Sequence, residues 1–208
     1  MKRVYLFTII GLLGFAACKK GAVSTNGCIG QISRHYIHGQ DSLAAVDLLK
    51  KNSIPYANLA YDRVIFNDTI TNVNTGIKSV NQHVFALQYF NGLPLLFSSI
   101  GLHFNNGVYQ SSSGTRYASI GLSTTHQLSL QFVRNVFIAA SGNDTALKKA
   151  CLSAEFGYYD INAGNGNNTP NIVKAWYVTP QNADYPAAMI RDDNGSVLFY
   201  NDGIMTVN

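Results

Sequence analysis

The side chains with the most chemistry to offer in this 208-residue sequence are five histidines, three cysteines and twelve tyrosines. His35-Tyr36-Ile37-His38 is the one close histidine pair. A zinc site draws about four ligands from Cys, His and acidic side chains at short, recognisable spacings, and no further ligand accompanies this pair at such a spacing. His83, His103 and His126 are scattered and read as strand or helix-start residues, each satisfied by a neighbour. The sequence therefore calls for no metal and no cofactor. It contains no His-Glu-x-x-His, no Gly-x-Ser-x-Gly, no phosphate loop and no dinucleotide fingerprint. Gly164-Asn165-Gly166 does not lie between a strand and a helix and reads as a plain loop, while Asp192-Asp193 most simply serve a turn. The expectation is a protein without enzymatic activity.

What remains is aromatic. Tyr158-Tyr159, Trp176-Tyr177 and Phe199-Tyr200 are adjacent pairs within apolar runs. Successive side chains of a strand point to opposite faces, so one member of each pair packs inward and the other is free for contact. Tyr89, Trp176, Tyr177 and Tyr200 are the candidate binding-surface residues, for a glycan or a peptide. The composition, 47% hydrophobic and 12% charged, argues for an ordered chain. Lys2 and Arg3 supply two units of the formal net charge of +4, and there is no basic run longer than a pair such as Lys19-Lys20. A nucleic-acid partner is therefore not expected.

Met1-Lys2-Arg3 is a positive leader, residues 4–15 form an apolar run, and Ala16-Ala17 precede Cys18. The run is shorter than the about 20 residues a spanning helix needs. In these features the chain resembles a bacterial lipoprotein precursor, with Phe15-Ala16-Ala17-Cys18 as the lipobox and Phe15 standing where Leu is usual. That resemblance implies a signal peptide over 1–17, lipidation of Cys18, and a membrane partner engaged through the N-terminal lipid. It also implies an address in the cell envelope, on the periplasmic or surface face of the outer membrane. Residues 18–38 then read as the lipidated start and a polar tether. Cys28 and Cys151 remain. Either they form a disulfide in an oxidising compartment, or Cys151 is a buried core thiol and Cys28 a loose one.

Further along, Asp41 is placed to cap a helix over about 42–52, with Leu43, Val46 and Leu49 on its apolar face. Strand patterns follow over 58–67 and 84–104, the latter folded at Asn91-Gly92, a pair suited to the positive φ of a tight hairpin turn. Residues 68–81 read as a loop, and Asn106-Gly107 as another turn. Leu128, Phe132, Val133, Val136, Phe137 and Ala140 repeat with helical period, in a helix expected to begin near 123–125. Asp144 caps a shorter helix over 145–152, and strands are expected over 154–161, 172–179, 186–191 and 196–202.

Both halves thus share an order of helix, strands and a Gly turn. On those residues the chain resembles the tandem propeptide modules of thermolysin-type and fungalysin-type peptidases. Gln88-Tyr89-Phe90 and Gly92-Leu93-Pro94-Leu95 resemble the first propeptide module; residues 128–137, Lys174-Ala175-Trp176-Tyr177-Val178 and the turn at 191–195 resemble the PepSY module that follows it. Arg191 and Asn194 depart from the Asp and Thr usual in that turn. The resemblance implies an α+β fold of two PepSY-like modules, each a helix packed on an antiparallel β-sheet, over 39–118 and 119–208. It also implies that such modules inhibit or chaperone a peptidase, here an envelope peptidase acted on in trans. The alternatives are a glycan- or cell-wall-binding protein and a purely structural surface lipoprotein.

Overall fold

A computed structural model of the chain describes residues 27–33, 36, 39–163 and 169–204. In chain order the elements are β1 (Cys28–Ile32), α1 (Gln40–Lys51), β2 (Leu59–Thr71), β3 (Lys78–Phe90), β4 (Leu93–Asn105), β5 (Val108–Ser113), α2 (Leu130–Ala140), α3 (Thr145–Lys149), β6 (Cys151–Asp160), β7 (Ile172–Pro180), β8 (Ala187–Arg191) and β9 (Val197–Asn201). Asn91 and Gly92 carry φ values of 53° and 85° at the β3–β4 turn, and Asn106 and Gly107 do the same at β4–β5 with 48° and 77°. Asn tolerates this left-handed region and Gly meets no penalty there. Among the described residues no helix is long and apolar enough to cross a membrane.

The nine strands form one mixed sheet, in the order β2-β3-β4-β6-β7-β8-β9, with β5 added beside β4 and β1 beside β6. This overturns the expectation of two separate helix-on-antiparallel-sheet modules. The joint is β4, which pairs antiparallel with β3 along its length and parallel with β6 at Leu95↔Tyr158. Between the pairs Tyr89↔Pro94 and Leu87↔Ser99, two steps of β3 oppose five steps of β4. That bulge swings the start of β4 away from β3 and onto β6; extra residues on one strand bend it in this way. β1 is parallel to β6 as well, from Cys28↔Cys151 to Ile32↔Glu155. Residues 28–32, expected in the tether, are therefore a strand of the sheet, tied to it by a Cys28–Cys151 disulfide that spans 123 positions.

All three helices are short, and α1 and α2 supply the helical part of the core. Against β2, β3 and β4, α1 buries Ala45 and Leu49 among Tyr61, Val84, Ala86, Ile100, Leu102 and Phe104. Against β6, β7 and β8, α2 buries Val133, Phe137 and Ile138 among Leu152, Ala154, Phe156, Trp176, Val178, Ala188 and Ile190. Between them Phe90, Leu95, Ile120 and Tyr158 fill the joint, and Leu93 touches both this cluster and that of α2. The α2 helix starts later than its apolar period suggests, because Ser129 is the cap, accepting from the Phe132 N–H. The residues before it stay near the surface and are tied to the core through their backbone N–H groups instead. Asp192, fully buried, accepts from the backbone N–H groups of Gln127 and Leu128 and from Trp176 Nε1. Lys174 Nζ stands 3.5 Å from the same carboxylate. A buried carboxylate persists only with partners of this kind. Nearer the joint, Gln88, 1% exposed, donates to the Thr115 carbonyl and accepts from Tyr117 N–H, pinning the crossing segment.

Candidate functional site

Strand alternation divides the aromatic pairs of β6 and β7 between the two sides of the sheet. Tyr158 and Trp176 are wholly buried on the helix side. Their neighbours Tyr159 and Tyr177 lie on the opposite side, with Phe199, around Leu96, Ala175 and Met189. Onto this cluster the β4 bulge places Phe97. Its φ is 58°, it is 51% exposed, and its ring meets Tyr177 edge to face with centroids 4.7 Å apart and planes at 81°. Phe199 lies 6.0 Å from Phe97 and 6.2 Å from Tyr159. A bulky residue in the left-handed region costs about 1–2 kcal/mol. Edge-to-face aromatic pairs each return roughly 0.5–1.5 kcal/mol, so the contacts of Phe97 are of the size needed to hold the strained backbone. The result is an aromatic ledge running over β4, β7 and β9.

At the foot of the ledge the diverging strands leave a cleft of about 310 Å³. Phe97 and Tyr159 form its apolar wall; Ser98, Ser99, Thr115, Tyr117 and Asp160 form its polar wall. This volume lies at the lower end of the range for small-molecule sites. Asp160 accepts from the Tyr117 hydroxyl at 2.5 Å and from the backbone N–H groups of Asn171 at 2.8 Å and Asn162 at 3.0 Å. Burial by itself raises the Asp160 pKa, but the hydrogen bonds from Tyr117, Asn171 and Asn162 outweigh it and hold the carboxyl below its usual range. The Tyr117 phenol is pushed up to about 12, first by burial and then by its bond to Asp160 and the charge there. Burial, followed by the same charge, raises Tyr159. The polar wall therefore presents neutral hydroxyls around one carboxylate held by three donors. Asp160 is the one carboxylate among the described residues lining the cleft. The geometry suits holding a ligand.

A second hollow, about 380 Å³, opens on the helix side near Gln88 and Arg116. Gln88 is engaged with Thr115 and Tyr117, and Arg116 with the Pro55 carbonyl, so these groups serve to position the crossing segment.

The candidate binding residues do not converge. Trp176 is excluded from any surface, being fully buried with its Nε1–H on Asp192. This corrects its assignment as a contact residue; it is the inward member of its pair. Tyr177 belongs to the ledge. Tyr200, 36% exposed, sits on the other side of the sheet, 6.4 Å from the Phe137 ring of α2. Tyr89 donates its hydroxyl to that of Tyr36 at 2.6 Å, and their rings meet edge to face at 5.3 Å. Of the two readings of Cys28 and Cys151, the structure carries the bonded one. Cys18, His35, His38 and Gly164-Asn165-Gly166 lie outside the described residues. Tyr159 and Phe199 follow from alternation once the register is known, whereas Asp160 and Phe97 carry no signal before the bulge and the β6–β7 turn are seen. Comparison with protein-family models and with curated proteins gave no match.

Proposed function

We propose that this chain is a non-enzymatic protein of the cell envelope, held to a membrane by lipid at Cys18, and that it binds a glycan strand along the aromatic ledge. The observation that carries this reading is the exposed, strained Phe97 resting on Tyr177 and Phe199 beside a hydroxyl-lined cleft. The C–H faces of a pyranose ring pack on aromatic faces, and its hydroxyls pair with tyrosine, serine and carboxylate groups. Ledge and cleft together offer both kinds of contact within one ligand's reach.

The test is a titration of the purified chain with soluble cell-wall fragments and neutral oligosaccharides, followed by calorimetry. Saturable binding is expected, with Phe97→Ala and Tyr177→Ala each weakening it about tenfold, close to 1.4 kcal/mol. Absence of saturable binding, or binding indifferent to both substitutions, overturns the proposal. One observation favours a second reading, an inhibitor or chaperone of an envelope peptidase. β9 ends the sheet path, and among the described residues no strand pairs with its outer edge, where a peptide strand could be added. Inhibition of an envelope metallopeptidase, lost when Phe199→Pro blocks that edge and retained in Phe97→Ala, selects this reading over the first.

A further inference from the structure

His83 on β3 and His103 on β4 are direct register partners. Their Nδ1 atoms face each other at 2.7 Å, with ring centroids 5.0 Å apart. A contact this short requires one proton shared between the two nitrogens. The surroundings indicate which nitrogen carries it. His83 Nε2 lies 3.8 Å from the Asp68 carboxylate of β2, which favours Nε2–H on that ring and leaves its Nδ1 with a lone pair. On the other side, Gly101 keeps the space beside His103 open. A Cβ there would stand 2.5 Å from Ser113 Oγ and 3.3 Å from His103 Nε2. His103 is thus the Nδ1–H donor, and the group forms a carboxylate–imidazole–imidazole chain across three strands. The pair remains within reach of solvent, the His83 side chain being 25% exposed.

The geometry points to a site for one borderline transition-metal cation, zinc or copper(II), taken between His83 Nδ1 and His103 Nδ1 in place of the shared proton. The exchange balances as a tautomer shift: the cation enters, the Nδ1 proton of His103 passes through water to the Nε2 of the same ring, which stays neutral, and both Nδ1 nitrogens become ligands. A carboxylate behind a ligating imidazole fixes its tautomer and ring orientation, which is the position of Asp68 behind His83. Zinc–nitrogen bonds of about 2.0–2.1 Å at a tetrahedral angle set the two nitrogens roughly 3.3 Å apart. The rings therefore open by roughly 0.6 Å from their present separation, a small side-chain movement at a partly exposed position. Among the described residues no set of three or more His, Cys, Asp or Glu converges on a metal position. Water completes the shell, and the site is an exchangeable one, unlike the closed four-ligand sites that hold folds together. It lies on β2–β4 and does not depend on the glycan-binding ledge.

The experiment is titration of the purified full chain with zinc sulfate and, separately, copper(II) sulfate, read by calorimetry and by imidazole NMR resonances. One equivalent is expected to bind, moving the His83 and His103 resonances together. His83→Gln and His103→Gln should each lower the affinity at least tenfold, and Asp68→Asn about tenfold. His126→Gln and a His35→Gln/His38→Gln double variant should leave it unchanged. Unaltered near-ultraviolet circular dichroism in each variant separates loss of ligands from loss of fold. Failure of either cation to saturate the chain, binding that survives His83→Gln, or binding abolished by the His35/His38 double variant overturns the proposal.

Discussion

At the α2 end of the sheet a serine hydroxyl caps the helix, while α1 begins at Gly39 with no side-chain cap. The α2 end is also stitched across long chain separations: by the disulfide, by Asp192 reaching Gln127, Leu128 and Trp176, and by the buried Arg134 donating to the Lys148 carbonyl. At the α1 end the helix contributes Ala45 and Leu49 to the interior and leaves Leu43 59% exposed. Every residue of β5 is exposed, and Ile70, Val73 and Ile77 stand out in water at the β2–β3 tip. The contrast shows that a continuous sheet need not be evenly held. The long-range ties of the α1 end, Asn52 with Gly107 and Tyr109, are part-buried or exposed, so the covalently tied α2 end is the one expected to be firmer; Tyr159, Tyr177 and Phe199 are mounted there, while Phe97 comes from the strand that both ends share.

The largest expected effect tests the firmer end directly. Reduction of the disulfide, or Cys28→Ser with Cys151→Ser, opens a loop of 123 positions and should lower the unfolding free energy by about 3–5 kcal/mol in urea titrations. A loss below about 1 kcal/mol would erase the distinction between the ends. Next, Asp192→Ala leaves two backbone N–H groups and the Trp176 Nε1–H without their acceptor and should cost about 3 kcal/mol. At the other end Leu49→Ala should cost about 2 kcal/mol, the low side for a buried leucine. The groove of about 500 Å³ beside α1, lined by Ala44, Leu48 and Phe66, gives the site room to relax. Equal losses at Asp192 and Leu49 would contradict the comparison.

The smallest effect concerns the cleft. Tyr117 has its phenol raised to about 12 in the folded chain, against an ordinary 10. A raised phenol contributes stability that is fully present below about pH 10 and lost as pH rises through about 12. Tyr117→Phe should therefore flatten part of the alkaline fall in stability between those values, measured by denaturant midpoints. Asp160 behaves in the opposite sense: its depressed carboxyl contributes above the ordinary carboxylate range, and that contribution is lost on acidification through its folded value. A Tyr117→Phe chain whose alkaline profile matches the parent would show that the Asp160 bond adds nothing to cleft stability.

Much of the local structure could be read from residue order. Asn91-Gly92 and Asn106-Gly107 marked their turns and Asp144 its cap; the apolar period of α2 found Val133 and Phe137 but took in Phe132, which is exposed, and missed the buried Arg134 and Ile138. The reading failed where pairing was distant or polar. Residues 68–71 and 78–81 resemble a loop in composition yet are strand, because the β2–β3 ladder runs on from Ile65↔His83 to Thr71↔Lys78. The short α3 stops at Lys149 because Cys151 is already paired with Cys28. No periodicity announces that Leu95 will lie beside Tyr158, or that Cys28 will lie beside Cys151, since parallel pairs between non-consecutive strands leave no local trace. The two-module expectation followed from taking each half alone, and it fell with the β4–β6 pair. Of the site, Tyr177 was legible by alternation; Phe97 was not, since a bulge reverses the side to which a residue would point.

The place of Cys28, at the first position of β1 and bonded to the first position of β6, sets the route of mechanical load. A pull on the amino-terminal end upstream of Cys28 crosses a covalent bridge into Cys151 before it reaches α1 or the β2–β3 hairpin. Drag on the molecule is then borne by the interior strand β6 and its ladder with β7. The loosely covered hairpin lies off the line of tension, free to bend without carrying weight.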